Sequence, residues 1–476
     1  MTGNAPIAID LFSGAGGLSE GLESVGIHVA TAIEWHPQPC LTHAFNHPHT
    51  QVLVGDIRSL QMDLLRKYVH RATGTSKVDL VVGGPPCQGF SSAGRKSQAD
   101  PRNTLFREFI RVVENFKPRM FLLENVPGFK KMYQGQMFAE ATKEFSRLGY
   151  QITSNIVDAA PFGVPQRRKR FIMIGWLPNE ALPFEWPDEV LGKNGQLTIF
   201  SQPMVTVENA LEDIAFLEPG WEATQHQVEP IYNFQQDRRR GAKLLFNHLA
   251  TQHREKAVSM FEYIPEGGTI NAVPKNLRNG KKTMARLNRH EISNAVLALP
   301  DDLIHYRHNR IPTVREMARL QTFDDDYVFF GKRTSGFIER RVDLPQYTQV
   351  GNAVPPLLAK ALGRNLIRSL EGIERDIRDI ATRRARHGWV LGSSGFAGYT
   401  LDLQATKEIN IINVAGETLP LPISNDDMPV LQQDVLRRWN NTHNPRRGQW
   451  APGINPRPVP SHMVVEEEKE EEIASD

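Results

Sequence analysis

Residues 7–18 read Ile7-Ala8-Ile9-Asp10-Leu11-Phe12-Ser13-Gly14-Ala15-Gly16-Gly17-Leu18: an apolar run, a glycine-rich turn and the start of an amphipathic stretch. Five largely apolar residues in a row suit a buried strand, and glycines just beyond it let the backbone turn sharply and approach a ligand closely. The pattern is an imperfect G-x-G-x-x-G, because Ser19 holds the last glycine position. On its own it fits a plain tight turn as well as it fits a nucleotide-type site.

Working outward, short apolar runs recur at residues 29–33, 78–82, 120–123 and 171–174, with amphipathic stretches such as 17–25 and 103–116 between them. Strands separated by helices imply an α/β fold with a doubly wound, mostly parallel sheet, whose sites form in the loops at the carboxyl ends of the strands. Residues 1–177 are read as this catalytic, cofactor-binding domain. Past Leu177 the spacing becomes irregular, with several prolines and the basic clusters Arg238-Arg239-Arg240, Lys281-Lys282 and Arg286 with Arg289. Residues 178–304 are therefore read as a second, smaller domain. Regular patterning returns over 305–374, with a helix expected at 313–321 and an Arg-rich helical stretch expected at 356–386. Residues 375–439 form an extension with short β-like runs over 390–425, read as an added small subdomain or as packing. Residues 440–476 have the composition of a disordered acidic tail.

The whole chain has 476 residues and a formal net charge of +2, but residues 466–476 alone carry −6, leaving +8 on the rest. A modestly basic body suits a polyanionic ligand. With 40% hydrophobic and 23% charged residues, collagen-like, mucin-like and wholly disordered readings are excluded. No run approaches the ~20 apolar residues needed to cross a bilayer. The N-terminus carries no secretory signal pattern. Cys40 and Cys87 are the only cysteines, too few for a disulfide framework and without a C-x-x-C spacing. A reducing, cytoplasmic setting follows, with no metal and no membrane.

Several strand ends carry residues suited to chemistry. Glu34 lies 20 positions beyond Gly14, where an acid can hydrogen-bond a ribose hydroxyl, and Trp35 follows it. Gly55-Asp56-Ile57 ends a third strand. Acids and apolar faces without a full glycine set lean towards an adenosine ligand lacking phosphates. Gly83-Gly84-Pro85-Pro86-Cys87 ends a fourth strand, placing Cys87 in polar, turn-forming company rather than among valines. Cys87 reads as a nucleophile, its thiolate favoured by a locally electropositive site; a packing residue is the other reading. Glu124, in Leu123-Glu124-Asn125, can donate a proton if burial raises its pKa, or can be a solvated loop acid. In Gln166-Arg167-Arg168-Lys169-Arg170, alternation puts Gln166, Arg168 and Arg170 on one face. Arg168 is the candidate to face Cys87; a solvated edge is the other reading.

The order DLFSGAGGLSEG, EW, GDI, GGPPCQGFS, ENVPGF, QRRKR, RIPTVREMARLQTF and GNAVPP resembles the cytosine-5 DNA methyltransferases. The resemblance spans residues 7–177 and roughly 305–370, and looks like the compact prokaryotic members that partner restriction enzymes. It implies the class I S-adenosyl-L-methionine-dependent methyltransferase fold, with the segment 178–304 as an inserted target-recognition domain for double-stranded DNA. It implies S-adenosyl-L-methionine as cofactor, contacted by Phe12, Gly14, Gly16, Glu34, Trp35, Asp56, Ile57, Pro86, Leu105 and Asn352. It implies Cys87 as nucleophile on cytosine C6, Glu124 at N3 and Arg168 steadying the cytosine carbonyl. A monomer is expected, with a companion endonuclease acting on the same site without direct binding. The chain starts almost at the first motif, so no N-terminal regulatory domain is expected. Residues 375–476 have no counterpart in the resemblance. Two other readings are a tRNA cytosine-5 methyltransferase, which the long segment 178–304 disfavours, and a catalytically dead DNA-binding regulator, which intact Cys87, Glu124 and Arg168 disfavour.

Overall fold

The structure, a computed structural model, describes residues 5–86, 105–189, 191–192, 202–239, 242, 245–278, 283–334, 344–372, 390–394, 398–402 and 411–413. Cys87 lies outside the described residues, as does the tail 440–476.

The first part alternates strand and helix: β1 (Ile7–Leu11), α1 (Gly17–Glu23), β2 (His28–Glu34), α2 (Pro37–Asn46), β3 (Gln51–Val54), α3 (Met62–Thr73), β4 (Leu80–Gly83), α4 (Leu105–Phe116), β5 (Met120–Asn125), α5 (Gln136–Arg147), β6 (Gln151–Asp158) and β7 (Lys169–Trp176). Between β7 and the return segment lie two-residue strands, β8 (Leu191–Gly192), β9 (Gln202–Pro203), β10 (Ala285–Arg286) and β11 (Leu303–Ile304), and the short helices α6 (Val207–Leu211), α7 (Asn233–Arg239) and α8 (Glu255–Glu262). The return segment supplies α9 (Val314–Leu320), α10 (Gln346–Asn352) and α11 (Pro356–Glu371). A hairpin of β12 (Val390–Ser394) and β13 (Gly398–Asp402) and a last strand, β14 (Ile411–Asn413), follow.

The main sheet has the order β14-β3-β2-β1-β4-β5-β7-β6. All neighbours are parallel except β5 with β7 and β7 with β6, which are antiparallel. This is the expected doubly wound α/β sheet. Its strands are apolar on both faces because both faces are covered. In β5, Phe121 and Leu123 enter one core while Met120 and Leu122 enter the other, and β7 divides Phe171 and Met173 from Ile172 and Ile174 in the same way. The first core is roofed by α4 through Phe106, Phe109, Val112 and Val113. The second is roofed by α1 and by α11, through Leu18, Leu22, Leu358, Leu362 and Leu366. Helix α11 comes from beyond residue 305, so the return segment completes the catalytic layer.

Three expectations change. Strand β6 carries mostly half-buried or exposed residues, QITSNIVD, and the apolar pattern alone did not mark it. Helix α11 ends at Glu371, because Gly372 takes a left-handed φ of 69°; residues 373–389 lie outside the described residues. Strand β14, expected in a separate subdomain, pairs with β3 in the main sheet, Ile411 opposite Val52 and Asn413 opposite Val54. One apolar cluster also spans the 304/305 boundary, joining Val207, Leu211, Leu245 and Val296 to Met317, Tyr327 and Tyr347. Among the described residues, no helix is long and apolar enough to cross a membrane.

Candidate active site

The strand order reverses between β1 and β4, which lie side by side with Leu11 opposite Gly83. A sheet of this kind opens a crevice at such a switch point. The loops leaving β1 and β4 are the glycine turn and the run Gly84-Pro85-Pro86 that leads to Cys87.

On the β1 side, Gly16 has φ 87° and caps the start of α1, a conformation that glycine adopts without strain. Phe12 holds a positive φ of 58°. The Gly14 N–H donates to Glu34 Oε2 at 3.1 Å, and the His36 N–H donates to Glu34 Oε1 at 2.9 Å. The carboxylate is thus fixed over the glycine turn from the end of β2. Next to it, Trp35 is 51% exposed, unusual for a large aromatic at a strand end, with the Arg58 guanidinium 5.7 Å from its ring centre. Just beyond β3, Asp56 pairs with Arg58 at 2.6 Å; that contact and the Arg58 N–H hold its carboxyl below the usual range, against the opposing effect of burial. Ile57 and Leu105 are buried, Phe12 and Pro86 half-buried, and Asn352 exposed at the end of α10.

These residues fit an S-adenosyl-L-methionine-like ligand. A Cβ added at Gly14 would meet nothing within 4 Å. Beside that open space stand the Glu34 carboxylate fixed over the turn, the half-exposed Trp35 ring and a second acid, Asp56.

On the β4 side, Glu124 ends β5 and Arg170 begins β7. Arg170 Nε donates to Glu124 Oε1 at 2.8 Å. Burial pushes the Glu124 carboxyl above the usual range, and Arg170 and then Arg168 pull it back without cancelling the rise. The loop leading to Cys87 is tied to this strand end. Asn125 Nδ2 donates to the Pro85 carbonyl at 3.0 Å, and a Cβ on Gly84 would come within 2.7 Å of Glu124 Oε2. A side chain at position 84 would displace the carboxylate from Arg170.

The alternation of Gln166, Arg168 and Arg170 on one face holds: Gln166 and Arg168 are buried, while Arg167 and Lys169 are exposed. Yet Arg168 does not turn its guanidinium to the strand-end rim. Its Nη1 donates to Val296 O at 2.8 Å, and its Nη2 donates to Gly351 O and Ala353 O at 2.8 and 2.9 Å. Those carbonyls bracket Asn352, so Arg168 props the turn that carries it. Arg170 is the residue that reaches Glu124, and it was passed over in the sequence although it shares that face.

The basic residues of 178–304 need a similar correction. Arg286 is buried and donates to Phe261 O, Ile264 O and His305 O. Arg238 donates to Thr322 O and pairs with Asp324; Arg239 pairs with Asp213, and Arg289 with Glu266. These four cations have partners within the protein, Arg238 and Arg286 while buried and Arg289 while part-exposed. Arg240, Lys281 and Lys282 lie outside the described residues.

Comparison with known proteins agrees with this arrangement. The family model for C-5 cytosine-specific DNA methylase matches residues 7–368. The Type II methyltransferase M1.HphI of Haemophilus parahaemolyticus is 36% identical over 367 residues, covering 76% of this chain and 86% of that protein. The Type II methyltransferase M.DdeI of Desulfomicrobium norvegicum is 34% identical, covering 77% and 89%. A crystal structure of a putative DNA modification methyltransferase encoded within a prophage of E. coli superposes with a TM-score of 0.61 at 26% identity, covering 77% of this chain and 99% of that one. With the family model matched over residues 7–368, the chain belongs to the C-5 cytosine-specific DNA methylase family as a DNA cytosine-5-methyltransferase.

Proposed function

We propose that the protein methylates C5 of a cytosine within a specific double-stranded DNA sequence, using S-adenosyl-L-methionine, as the methylase of a Type II restriction-modification system. It would act as a monomer in the cytoplasm, beside a nuclease that cuts the same site without binding it. The similarity to Type II methyltransferases supports the setting.

The observation that carries the chemistry is the Glu124–Arg170 pair beside the loop to Cys87. Cytosine C5 is a poor nucleophile. Attack of the Cys87 thiolate on C6 forms an S–C6 bond and pushes electrons towards C5. A protonated Glu124 donates at N3 and so stabilises the electron-rich ring, a role that its raised pKa supports. Arg170, one turn of the pleat away, holds the cytosine carbonyl in place of Arg168. The bound cofactor supplies the methyl group to C5. Loss of the C5 proton and β-elimination then return the thiolate. The base must leave the stack first, at a cost of about a few kcal/mol. On the cofactor side, Glu34 takes the ribose hydroxyls, Trp35 and Ile57 flank the adenine, Asp56 accepts from its amine, and Phe12, Gly14, Gly16, Pro86, Leu105 and Asn352 line the rest.

A duplex carrying 5-fluorocytosine tests this, because fluorine blocks the final proton loss. A gel-stable adduct is expected with the wild type and none with Cys87→Ala, which still binds DNA and cofactor. No adduct on any duplex, or methyl label entering tRNA alone, overturns the DNA reading. Bisulfite sequencing of DNA from expressing cells names the target.

A further inference from the structure

The glycine turn after β1 is braced from behind by side chains that the reaction does not use. Tyr327, fully buried in the return segment, donates its hydroxyl to the Ala15 carbonyl in the middle of the turn, 312 positions away in sequence. His47 Nε2 lies 3.2 Å from the same hydroxyl, and His47 Nδ1 lies 2.8 Å from Glu23 Oε2 on α1. His43 Nδ1 lies 3.1 Å from Ser13 Oγ. With a proton on each ring nitrogen, His47 donates from Nδ1 to Glu23 Oε2 and from Nε2 to the phenol oxygen while the phenol donates to Ala15, so the contacts form one directed chain. The fit is tight: a Cβ at Gly16 would stand 2.7 Å from the Tyr327 oxygen and 3.0 Å from His47 Nε2.

Tyr327 is itself held. Its carbonyl accepts from Arg315 Nη2, and Arg315 Nε donates to Phe246 O at 2.8 Å, inside the segment 178–304. Its ring packs on Phe323 at 4.6 Å and on Phe329 at 5.3 Å. A buried phenol is therefore set against the Ala15 carbonyl, in a turn whose Ser13 carbonyl already accepts from the Gly16 N–H at 3.0 Å.

We propose that Tyr327 and His47 are positioning residues for the donor site: they hold the Ser13–Gly16 turn so that the Gly14 N–H and the Glu34 carboxylate stay in register for the cofactor. The proposal rests on the cofactor site described above. It makes the return segment part of that site's construction, through a residue that touches no substrate. Without the clamp the turn has further conformations open to it, and binding must select among them, which weakens affinity without altering the reacting groups.

The test uses the full chain and S-adenosylhomocysteine as the probe in titration calorimetry. Tyr327→Phe keeps the ring and removes one oxygen. Leaving one buried carbonyl without its donor is expected to raise the probe Kd and the cofactor KM roughly fivefold to thirtyfold, with kcat at saturating cofactor within about twofold of wild type, since the reacting groups are untouched. His47→Gln, which keeps a donor near the Nε2 position, is expected to bind more tightly than His47→Leu. A Tyr327→Phe protein with wild-type Kd, or one with lowered Tm and active fraction but unchanged KM, overturns the proposal in favour of a purely packing role. Failure of wild type itself to bind the probe overturns the cofactor site instead.

Discussion

Glu124 and Arg170 are diagonal neighbours across two antiparallel strands: Glu124 of β5 faces Ile172 of β7, and Arg170, two residues back, places its Nε 2.8 Å from the carboxylate. Diagonal partners on one face of a sheet are within reach of long side chains. Burial raises the Glu124 pKa and the cation opposes it, so removing Arg170 should raise it further. If protonated Glu124 is the active form, activity is lost as pH climbs through that pKa, and Arg170→Ala should move this basic limb to higher pH. Turnover should also fall by about 10²–10³, the usual effect of deleting one donor aimed at developing charge. Initial rates against pH for both proteins check this, and a limb that stays in place refutes the coupling.

Arg168 should behave differently from Arg170. Its substitution by Ala strands three main-chain carbonyls, those of Val296, Gly351 and Ala353, in the interior. A loss of about 3–5 kcal/mol of stability is expected, with weakened cofactor binding because the turn bearing Asn352 loosens. Arg168→Lys should recover little, since an ammonium cannot bridge three acceptors with the planar fork of a guanidinium. Thermal melts separate the two arginines: Arg170→Ala is expected to keep most of the stability that Arg168→Ala loses.

The contrast between these two residues shows what the sequence could and could not reveal. Alternation correctly put Gln166, Arg168 and Arg170 on one face, because it is a local property of an extended chain. Which arginine reaches the crevice depends on what covers that face, and the cover comes from residues 296 and 351–353, more than 120 positions away. The strand at 7–11 was legible to the residue because Ile7, Ala8, Ile9 and Leu11 make an apolar run that one buried Asp10 does not break. Strand β6 was not, since the polar residues of an outermost strand give no hydrophobic signal. Arginines 238, 239 and 289 stand in the sequence as basic clusters, and nothing local to them shows that the fold brings up Asp324, Asp213 and Glu266 as their partners.

Acid should unfold this protein early. Burial lowers His226, His248 and His253 to about 4 from the usual 6.5. Between those values the unfolded chain binds protons that the folded chain refuses, so stability falls as pH drops from 6.5 towards 4. Asp10 opposes this: burial lifts it to about 7, against the Ser19 hydrogen bond and His47, so its proton favours the fold as pH falls below 7. Burial also lowers His43, His305 and His308, while the raised Glu124 acts with Asp10; the histidines outnumber the two carboxyls, and Tm at pH 5 is expected several degrees below Tm at pH 7. A flat Tm over that range contradicts the assignment. His248→Gln should reduce the slope, since one of these titrations is gone, with some loss of stability at pH 7 from its contacts to Thr313 Oγ1 and Ile214 O.

The C-terminal extension divides into a part that should matter and a part that should not. Strand β14 supplies a parallel neighbour for Val52, Leu53 and Val54, and the chain leaving Val54 runs directly into Gly55 and Asp56. Without β14, one side of β3 presents unpaired N–H and C=O groups, an edge that invites pairing with other chains. Deletion of residues 390–476 is therefore expected to lower Tm, raise the cofactor KM through Asp56 and promote aggregation. Deletion of residues 440–476 removes the acidic tail and spares β14, so Tm, KM and kcat should match the full chain. The comparison reads residues 390–439, the β12–β13 hairpin together with β14, because both truncations lose the tail. Equal behaviour of the two proteins would mean that the main sheet is complete with seven strands and that the pairing at residues 411–413 contributes nothing to the donor side.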